Sequence, residues 1–203
     1  MSKDTIIQKH NIGILGGTFN PIHTAHIELA KAAYEQYNLE KVLIMVSPNP
    51  PHKAGKVIAD VSHRNAMVKL AIADYDYMEF SDFEQQREGY IYTADTLTLL
   101  NKMHPENHYY FIVGGDSVDC IDRWYHPEIV LANCTLLAAG RDDLFDEKLM
   151  VRIAELNKQY NADIRPVKLP YMDISSTDVR AGELEDVPKA VADYIKQHSL
   201  YDF

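Results

Sequence analysis

The chain has 203 residues, of which 46% are apolar, and a chain of this size and composition buries roughly 70% of its unfolded surface. A disordered protein is therefore excluded, and we expect a single domain over residues 1–203. The 20 Lys and Arg residues against 30 Asp and Glu give a formal net charge of −10, which argues against non-specific binding to nucleic acid or to an anionic membrane.

The two cysteines, Cys120 and Cys134, form no C-x-x-C motif, so neither a disulfide framework nor a structural zinc site is expected. No apolar run reaches the ~18–20 residues of a membrane span, and the first residues lead into no signal-peptide core. We expect a soluble, cytoplasmic protein. Both a monomer and a homodimer are compatible with the sequence.

Apolar runs that end in glycine or proline alternate with segments of helical periodicity along the chain. The predicted elements are, in order, strand 11–15, helix 25–37, strand 41–46, helix 61–73, strand 77–81, helix 93–103, strand 109–113, short helical pieces at 118–121 and 128–131, strand 134–138, helix 144–159, strand 163–169 and helix 189–197. This alternation predicts an α/β fold, an open doubly wound parallel sheet with helices on both faces. Ligands of such sheets bind beyond the carboxyl ends of the strands.

One candidate site is the sequence GGTFNPIHTAH at residues 16–26, which runs from the first strand into the first helix. Adjacent glycines let the backbone approach a bulky anion, and a helix start offers free N–H groups and a positive dipole end. His23 and His26, three residues apart, lie on one side of that helix start and can donate to phosphate oxygens. A purely structural glycine turn explains the motif about equally well, and a zinc site would need a third ligand.

The second candidate site is ISSTDVR at residues 174–180. Ser175 and Asp178 fit a capping box, which is a structural explanation for the serine. Arg180 goes beyond that explanation, because its guanidinium is suited to phosphate oxygens near the positive end of the same helix.

Taken together, the two motifs resemble the nucleotidyltransferase family that carries an early H-x-G-H and a late ISSTxxR signature. Within it, PPHK at 50–53, YTADTL at 92–97, GGD at 114–116 and Trp124-Tyr125 resemble the bacterial nicotinate-mononucleotide adenylyltransferases. The resemblance covers nearly the whole chain. It implies a Rossmann-like nucleotidyltransferase fold and an enzyme of NAD biosynthesis that joins ATP and nicotinate mononucleotide to give deamido-NAD and pyrophosphate.

The resemblance also implies roles for individual residues. His23, His26 and Arg180 would be catalytic, with the histidines on the α-phosphate and Arg180 on the outgoing pyrophosphate. The residues implied to bind ATP are Gly16, Gly17, Thr18, Phe19, Gly114, Asp116, Ser175, Ser176 and Thr177. Mg²⁺ would be needed, and ATP phosphates and water would hold most of it, because the sequence shows no carboxylate cage.

For the acceptor, Trp124 would stack on the pyridine ring, Thr93 and the Tyr125 backbone would bind the nicotinate carboxylate, and Lys53 would bind the mononucleotide phosphate. Trp124 also fits a packing role, and Thr93 also fits the N-cap of its helix.

Two residues depart from the family pattern. Ala25 stands where the histidine motif usually has glycine, and its methyl group could crowd the phosphate. Asn20 replaces the commoner aspartate, and we expect it to act as a turn or cap residue.

Two alternative functions stay open at the level of sequence. One is a sister adenylyltransferase that uses nicotinamide mononucleotide or pantetheine phosphate as its acceptor. The other is a sensor that binds nucleotides without turning them over.

Overall fold

Six parallel strands form one sheet in the residues that the computed structural model describes, which are 9–49, 58–140, 147–170 and 172–201. The strands are β1 (His10–Gly17), β2 (Lys41–Val46), β3 (Met78–Ser81), β4 (Asn107–Gly114), β5 (Thr135–Ala139) and β6 (Ile164–Val167). They lie in the order β3-β2-β1-β4-β5-β6, so the direction of winding reverses between β1 and β4. A crevice at the carboxyl ends of these two strands is where such sheets bind their ligands.

Helices cover both faces of the sheet. They are α1 (Thr24–Tyr37), α2 (Val61–Ala71), α3 (Thr93–Met103), α4 (Gly115–Asp119), α5 (Pro127–Ala132), α6 (Glu147–Tyr160), α7 (Ser176–Arg180) and α8 (Lys189–Gln197). Short 3₁₀ turns occur at Phe83–Gln86, Ile121–Arg123 and Leu184–Asp186. The open doubly wound α/β sheet expected from the alternation of elements is thus confirmed, as is the Rossmann-like fold that the family resemblance implies.

The two faces of the sheet carry separate apolar layers, because successive residues of a strand point to opposite sides. In β1, Leu15 packs with α1, α2 and α8, whereas Ile14 packs with α3, α5 and α6. Both side chains are buried, as a strand in the middle of a doubly wound sheet requires.

The predicted elements differ from the structure mainly at their ends. The helical piece predicted at 118–121 is instead α4, which begins three residues earlier at Gly115 and is followed by the 3₁₀ turn Ile121–Arg123. Helix α2 ends at Ala71 rather than at residue 73, because Ile72 caps it and starts the turn that leads to Tyr75. The start predicted for the helix at 144 lies outside the described residues.

Within the described ranges, no helix is both long enough and apolar enough to cross a membrane.

Candidate active site

The turn that follows β1, residues 18–21, is built around a buried phenylalanine. Phe19 adopts a left-handed backbone conformation with φ 47°, and only 2% of it is exposed. Its ring folds back over Gly17, where an added Cβ would lie 2.9 Å from the ring. Gly17 is therefore required by packing, and the Phe19 side chain belongs to the core. Only the Phe19 backbone is left to line a ligand.

His23 and His26 face each other at the start of α1. Their ring centroids are 3.7 Å apart, and the Phe19 ring meets His26 edge-on at 5.1 Å. The His23 backbone N–H donates to His26 Nδ1 at 3.2 Å. Because Nδ1 accepts this hydrogen bond, a neutral His26 carries its proton on Nε2. The two predicted histidines are thus in contact, and the tautomer of His26 is fixed with the proton on Nε2.

His23 is the more buried of the two histidines, with 6% of its surface exposed. Loss of hydration lowers its pKa from 6.5 to about 4, and the nearby Asp178 carboxylate only partly opposes this shift. His23 is therefore neutral at pH 7. Its Nδ1 is buried and makes no hydrogen bond of normal geometry with the described residues.

Ser175 begins helix α7 as the sequence predicts. Its Oγ accepts from the backbone N–H groups of Thr177 and Asp178 at 3.2 and 3.3 Å, and its own N–H donates to Asp178 Oδ2 at 3.1 Å. The capping box is confirmed. Because α7 is only five residues long, the cap fixes most of its backbone.

Helix α7 is attached directly to the turn after β1. Arg180 Nη1 donates to the main-chain oxygen of Asn20 at 2.8 Å, and Ser176 Oγ donates to that of Pro21 at 2.8 Å. Arg180 also contacts Thr177 Oγ1 through Nη2 at 3.2 Å. The structure therefore brings together the two motifs that the sequence singled out. The Ser176 hydroxyl already donates its proton to the Pro21 carbonyl, so the Ser176 group that can donate to a ligand is the backbone N–H.

Asn20 links the same turn to two further segments. Its side chain is 3% exposed, and Oδ1 accepts from the Ala59 N–H at 3.1 Å and from the Tyr201 hydroxyl at 3.0 Å. The expected role of Asn20 as a turn residue is confirmed, and its side chain also binds Tyr201 near the end of the chain. Ala25 lies half-buried in the first turn of α1.

Arg64 of α2 is a buried residue near this turn that the sequence prediction missed. Only 2% of it is exposed, and its guanidinium donates to the main-chain oxygens of Thr18, Ser47, Pro48 and Ala59 at 2.7 to 3.1 Å. Its position was visible in the sequence, because it precedes the buried helix residues 67, 68 and 71 by three, four and seven positions.

A separate cavity of about 200 Å³ opens at the carboxyl ends of β4 and β5. Its lining residues are Gly115, Asp116, Asp119, Ala139, Gly140, Lys148 and Leu149. Gly114 caps α4 beside it, and a Cβ added there would meet nothing within 4 Å. The predicted Gly114 and Asp116 thus lie at the carboxyl edge of the sheet. Lys148, whose Nζ is 3.9 Å from Asp119 Oδ2, is a lining residue that the sequence did not predict.

The residues predicted for the acceptor come from two segments that an aromatic stack joins. Tyr92 and Tyr125 stack with centroids 4.2 Å apart, which sets Thr93, the first residue of α3, near the Trp124-Tyr125 pair. The Trp124 ring is half-buried and meets Phe111 edge-on at 6.3 Å. The N-cap of α3 is Tyr92, so the alternative assignment of Thr93 as the cap is wrong. Lys53 lies outside the described residues.

Comparison with known sequences gives a consistent family assignment. The family described as cytidylyltransferase-like matches residues 14–182. The chain is 43% identical over 196 residues to a probable nicotinate-nucleotide adenylyltransferase of Lachnoclostridium phytofermentans. This alignment covers 94% of this chain and 98% of the relative. The chain is also 39% identical over 200 residues to a protein of the same name from a Synechococcus species, with 96% of each chain covered.

Solved structures show the same fold. The Plasmodium falciparum nicotinic acid mononucleotide adenylyltransferase complexed with NaAD superposes with a TM-score of 0.75 and 23% identity, over 95% of this chain and 98% of that one. The same enzyme complexed with APC gives a TM-score of 0.74 and 22% identity, over 96% and 98% of the two chains.

Proposed function

The chain belongs to the cytidylyltransferase-like family, and we propose that it transfers the adenylyl group of ATP to nicotinate mononucleotide, giving deamido-NAD and pyrophosphate. Its relatives named nicotinate-nucleotide adenylyltransferase, which match it over nearly their whole length, support this choice among the reactions open to the family.

One observation supports the proposal most strongly. Arg180 and Ser176 hold the turn that precedes His23, although about 155 to 160 positions separate the bonded residues in the sequence. These hydrogen bonds attach Arg180 and the start of α7 to the turn that leads into the histidine pair at the start of α1. Such a concentration of donors suits a polyanion, in a chain whose net charge is −10.

The proposed reaction is an in-line displacement at the α-phosphorus of ATP. An oxygen of the mononucleotide phosphate forms a bond to this phosphorus, and the bond from the phosphorus to the oxygen that bridges to the β-phosphate breaks. The electron pair leaves with pyrophosphate. Because the acceptor oxygen is already anionic at neutral pH, no general base is needed, and the protein contributes orientation and charge stabilisation.

The histidine pair would act on the α-phosphate as hydrogen-bond donors. The tautomer imposed on His26 places its proton on Nε2, the atom farther from the backbone, where it can reach a phosphate oxygen. His23 is neutral when no ligand is bound and has an unpartnered nitrogen, so an incoming anion would supply the missing partner and favour its protonation. The hydrogen bond from His26 and the protonation of His23 both become more favourable as negative charge builds on the α-phosphate oxygens.

The other predicted residues would hold the remaining parts of the two substrates. Arg180 and the backbone N–H groups of α7 would bind the pyrophosphate end, and Asp116 would accept from the ribose hydroxyls beside the cavity at β4 and β5. Thr93, Trp124 and the Tyr125 backbone would bind the nicotinate ring and its carboxylate.

Mg²⁺ would accompany ATP and neutralise phosphate charge when bound. Among the described residues there is no group of three His, Cys, Asp or Glu able to hold a metal ion. The Asp178 carboxylate is already used by the cap of α7. This donor set fits an ion bound mostly by phosphate oxygens and water, as we propose.

Turnover with different acceptors tests the proposal. Pyrophosphate release from ATP would be measured side by side with nicotinate mononucleotide, nicotinamide mononucleotide and pantetheine phosphate. We expect the highest kcat/KM with nicotinate mononucleotide. A preference for nicotinamide mononucleotide or for pantetheine phosphate would identify a sister enzyme. ATP binding without pyrophosphate release in the presence of any of the three acceptors would identify a sensor.

A further inference from the structure

Arg64 is a buried cation whose described hydrogen bonds all go to main-chain carbonyl oxygens. Nη1 donates to Thr18 at 2.7 Å and to Ser47 at 2.8 Å, Nη2 donates to Pro48 at 3.1 Å, and Nε donates to Ala59 at 3.0 Å. Burying an arginine is costly, and an apolar side chain of similar volume would usually stabilise a core as well or better. A role in geometry explains its presence better than a role in stability.

The four carbonyls come from three separate segments. Thr18 lies in the turn after β1, Ser47 and Pro48 follow β2, and Ala59 precedes α2. The planar guanidinium has donors in fixed directions, so it sets the distance and angle between these segments in a way that a flexible ammonium group cannot. Arg64 therefore joins the carboxyl ends of the neighbouring strands β1 and β2 to the start of α2.

The bond to Thr18 also orients the next peptide group. In a trans peptide the C=O and N–H bonds point in opposite directions, and the only cis peptide among the described residues is Asn20-Pro21. With the Thr18 oxygen turned toward Arg64, the Phe19 N–H points away from Arg64. Because the Phe19 side chain is buried in the core, only the backbone of this residue can contact a ligand.

We propose that Arg64 is a positioning residue that orients the turn at residues 18–21 toward the donor phosphates and couples this turn to the start of α2. The inference rests on the proposed function. Loss of the guanidinium should leave the fold in place but misalign the α-phosphate, which affects the chemical step more than substrate binding.

Arg64→Lys is the first test, because it keeps the positive charge and removes the planar set of donors. We expect kcat to fall at least about tenfold, with KM for ATP and for nicotinate mononucleotide within about threefold of the wild type. Leu156→Ala is the control, since Leu156 lies in α6 in the apolar layer on the other face of the sheet. All proteins are assayed well below the lowest Tm, and the control should keep its kcat.

An unchanged kcat in Arg64→Lys, or an equal loss of kcat in Leu156→Ala, would overturn the inference. If the wild-type protein releases no pyrophosphate in the same assay, the proposed function fails instead, so the two failures are distinguishable.

Hydrogen exchange of the wild-type protein provides a second test that needs no variant to fold. α,β-Methylene-ATP, which cannot be cleaved at the reacting bond, is added without acceptor, and backbone exchange is followed by mass spectrometry. Coupling through Arg64 predicts slower exchange at residues 58–64 as well as at residues 13–24. Protection confined to residues 13–24 would contradict the coupling.

Discussion

Arg180 Nη1 donates a hydrogen bond of 2.8 Å to the main-chain oxygen of Asn20, 160 positions earlier in the chain. The same nitrogen donates to the Ser176 oxygen at 2.9 Å. Arg180 therefore fixes the turn after β1 to helix α7, while its Nη2 extends toward Thr177. An arginine used in this way both builds the site and contributes positive charge to it.

Substitution of Arg180 should affect the pyrophosphate end of the reaction most. We expect Arg180→Lys to lower kcat by about 10-fold or more and to raise KM for pyrophosphate in the reverse reaction more than KM for deamido-NAD, because a lysine cannot match the bidentate geometry of the guanidinium. Arg165→Lys is the matched control, since Arg165 pairs with Asp163 at an exposed site. Equal effects on both KM values would argue that Arg180 only maintains the fold.

His26 offers a way to separate structure from catalysis. His26→Ala and His26→Asn should each lower kcat by a factor of about 10² or more, because both remove the Nε2 donor. The asparagine Oδ1 can replace Nδ1 as the acceptor of the His23 N–H, so we expect His26→Asn to keep the wild-type Tm more closely than His26→Ala. Steady-state kinetics and thermal unfolding measure the two effects. Turnover within a few fold of the wild type in both variants would refute the role of His26.

His23 should make the protein less stable in weak acid. Its pKa is about 4 in the folded protein and near 6.5 when unfolded, so the unfolded chain takes up a proton first as the pH falls. Well above pH 6.5 both states are neutral at His23, so this group does not change the free energy of unfolding. As the pH falls to 4, protonation of the unfolded chain lowers the free energy of unfolding by about 3 kcal/mol. Urea unfolding at several pH values measures this loss. We expect His23→Gln to show a shallower fall in the free energy of unfolding, and parallel curves would contradict the pKa shift.

The aromatic stack of Tyr92 on Tyr125 should matter for the acceptor only. In Tyr92→Leu the stack is lost, and the Trp124-Tyr125 segment is held less firmly against α3. We expect KM for nicotinate mononucleotide to rise by about tenfold with KM for ATP nearly unchanged. Tyr90→Leu is a control, since Tyr90 is 59% exposed. A similar rise in both KM values would show that the stack supports the whole site and not the acceptor part.

The sequence predicts strands such as 41–46 well because they are apolar runs closed by glycine or proline, here by Ser47-Pro48. It also predicts that Ser175 caps a helix, since capping is a local interaction. The contacts of Arg64 and Asn20 were not predicted, because they join segments whose distance depends on the whole sheet. The low pKa of His23 likewise follows from burial, which no local pattern determines.

The fate of a labelled phosphorus atom tests the proposed reaction most directly. ATP labelled at its α-phosphorus would be mixed with the protein and nicotinate mononucleotide, and the products separated. Attack at the α-phosphorus predicts that the label appears in deamido-NAD and that pyrophosphate is unlabelled. Label found in an inorganic product, or a dinucleotide formed without it, would contradict attack at that atom.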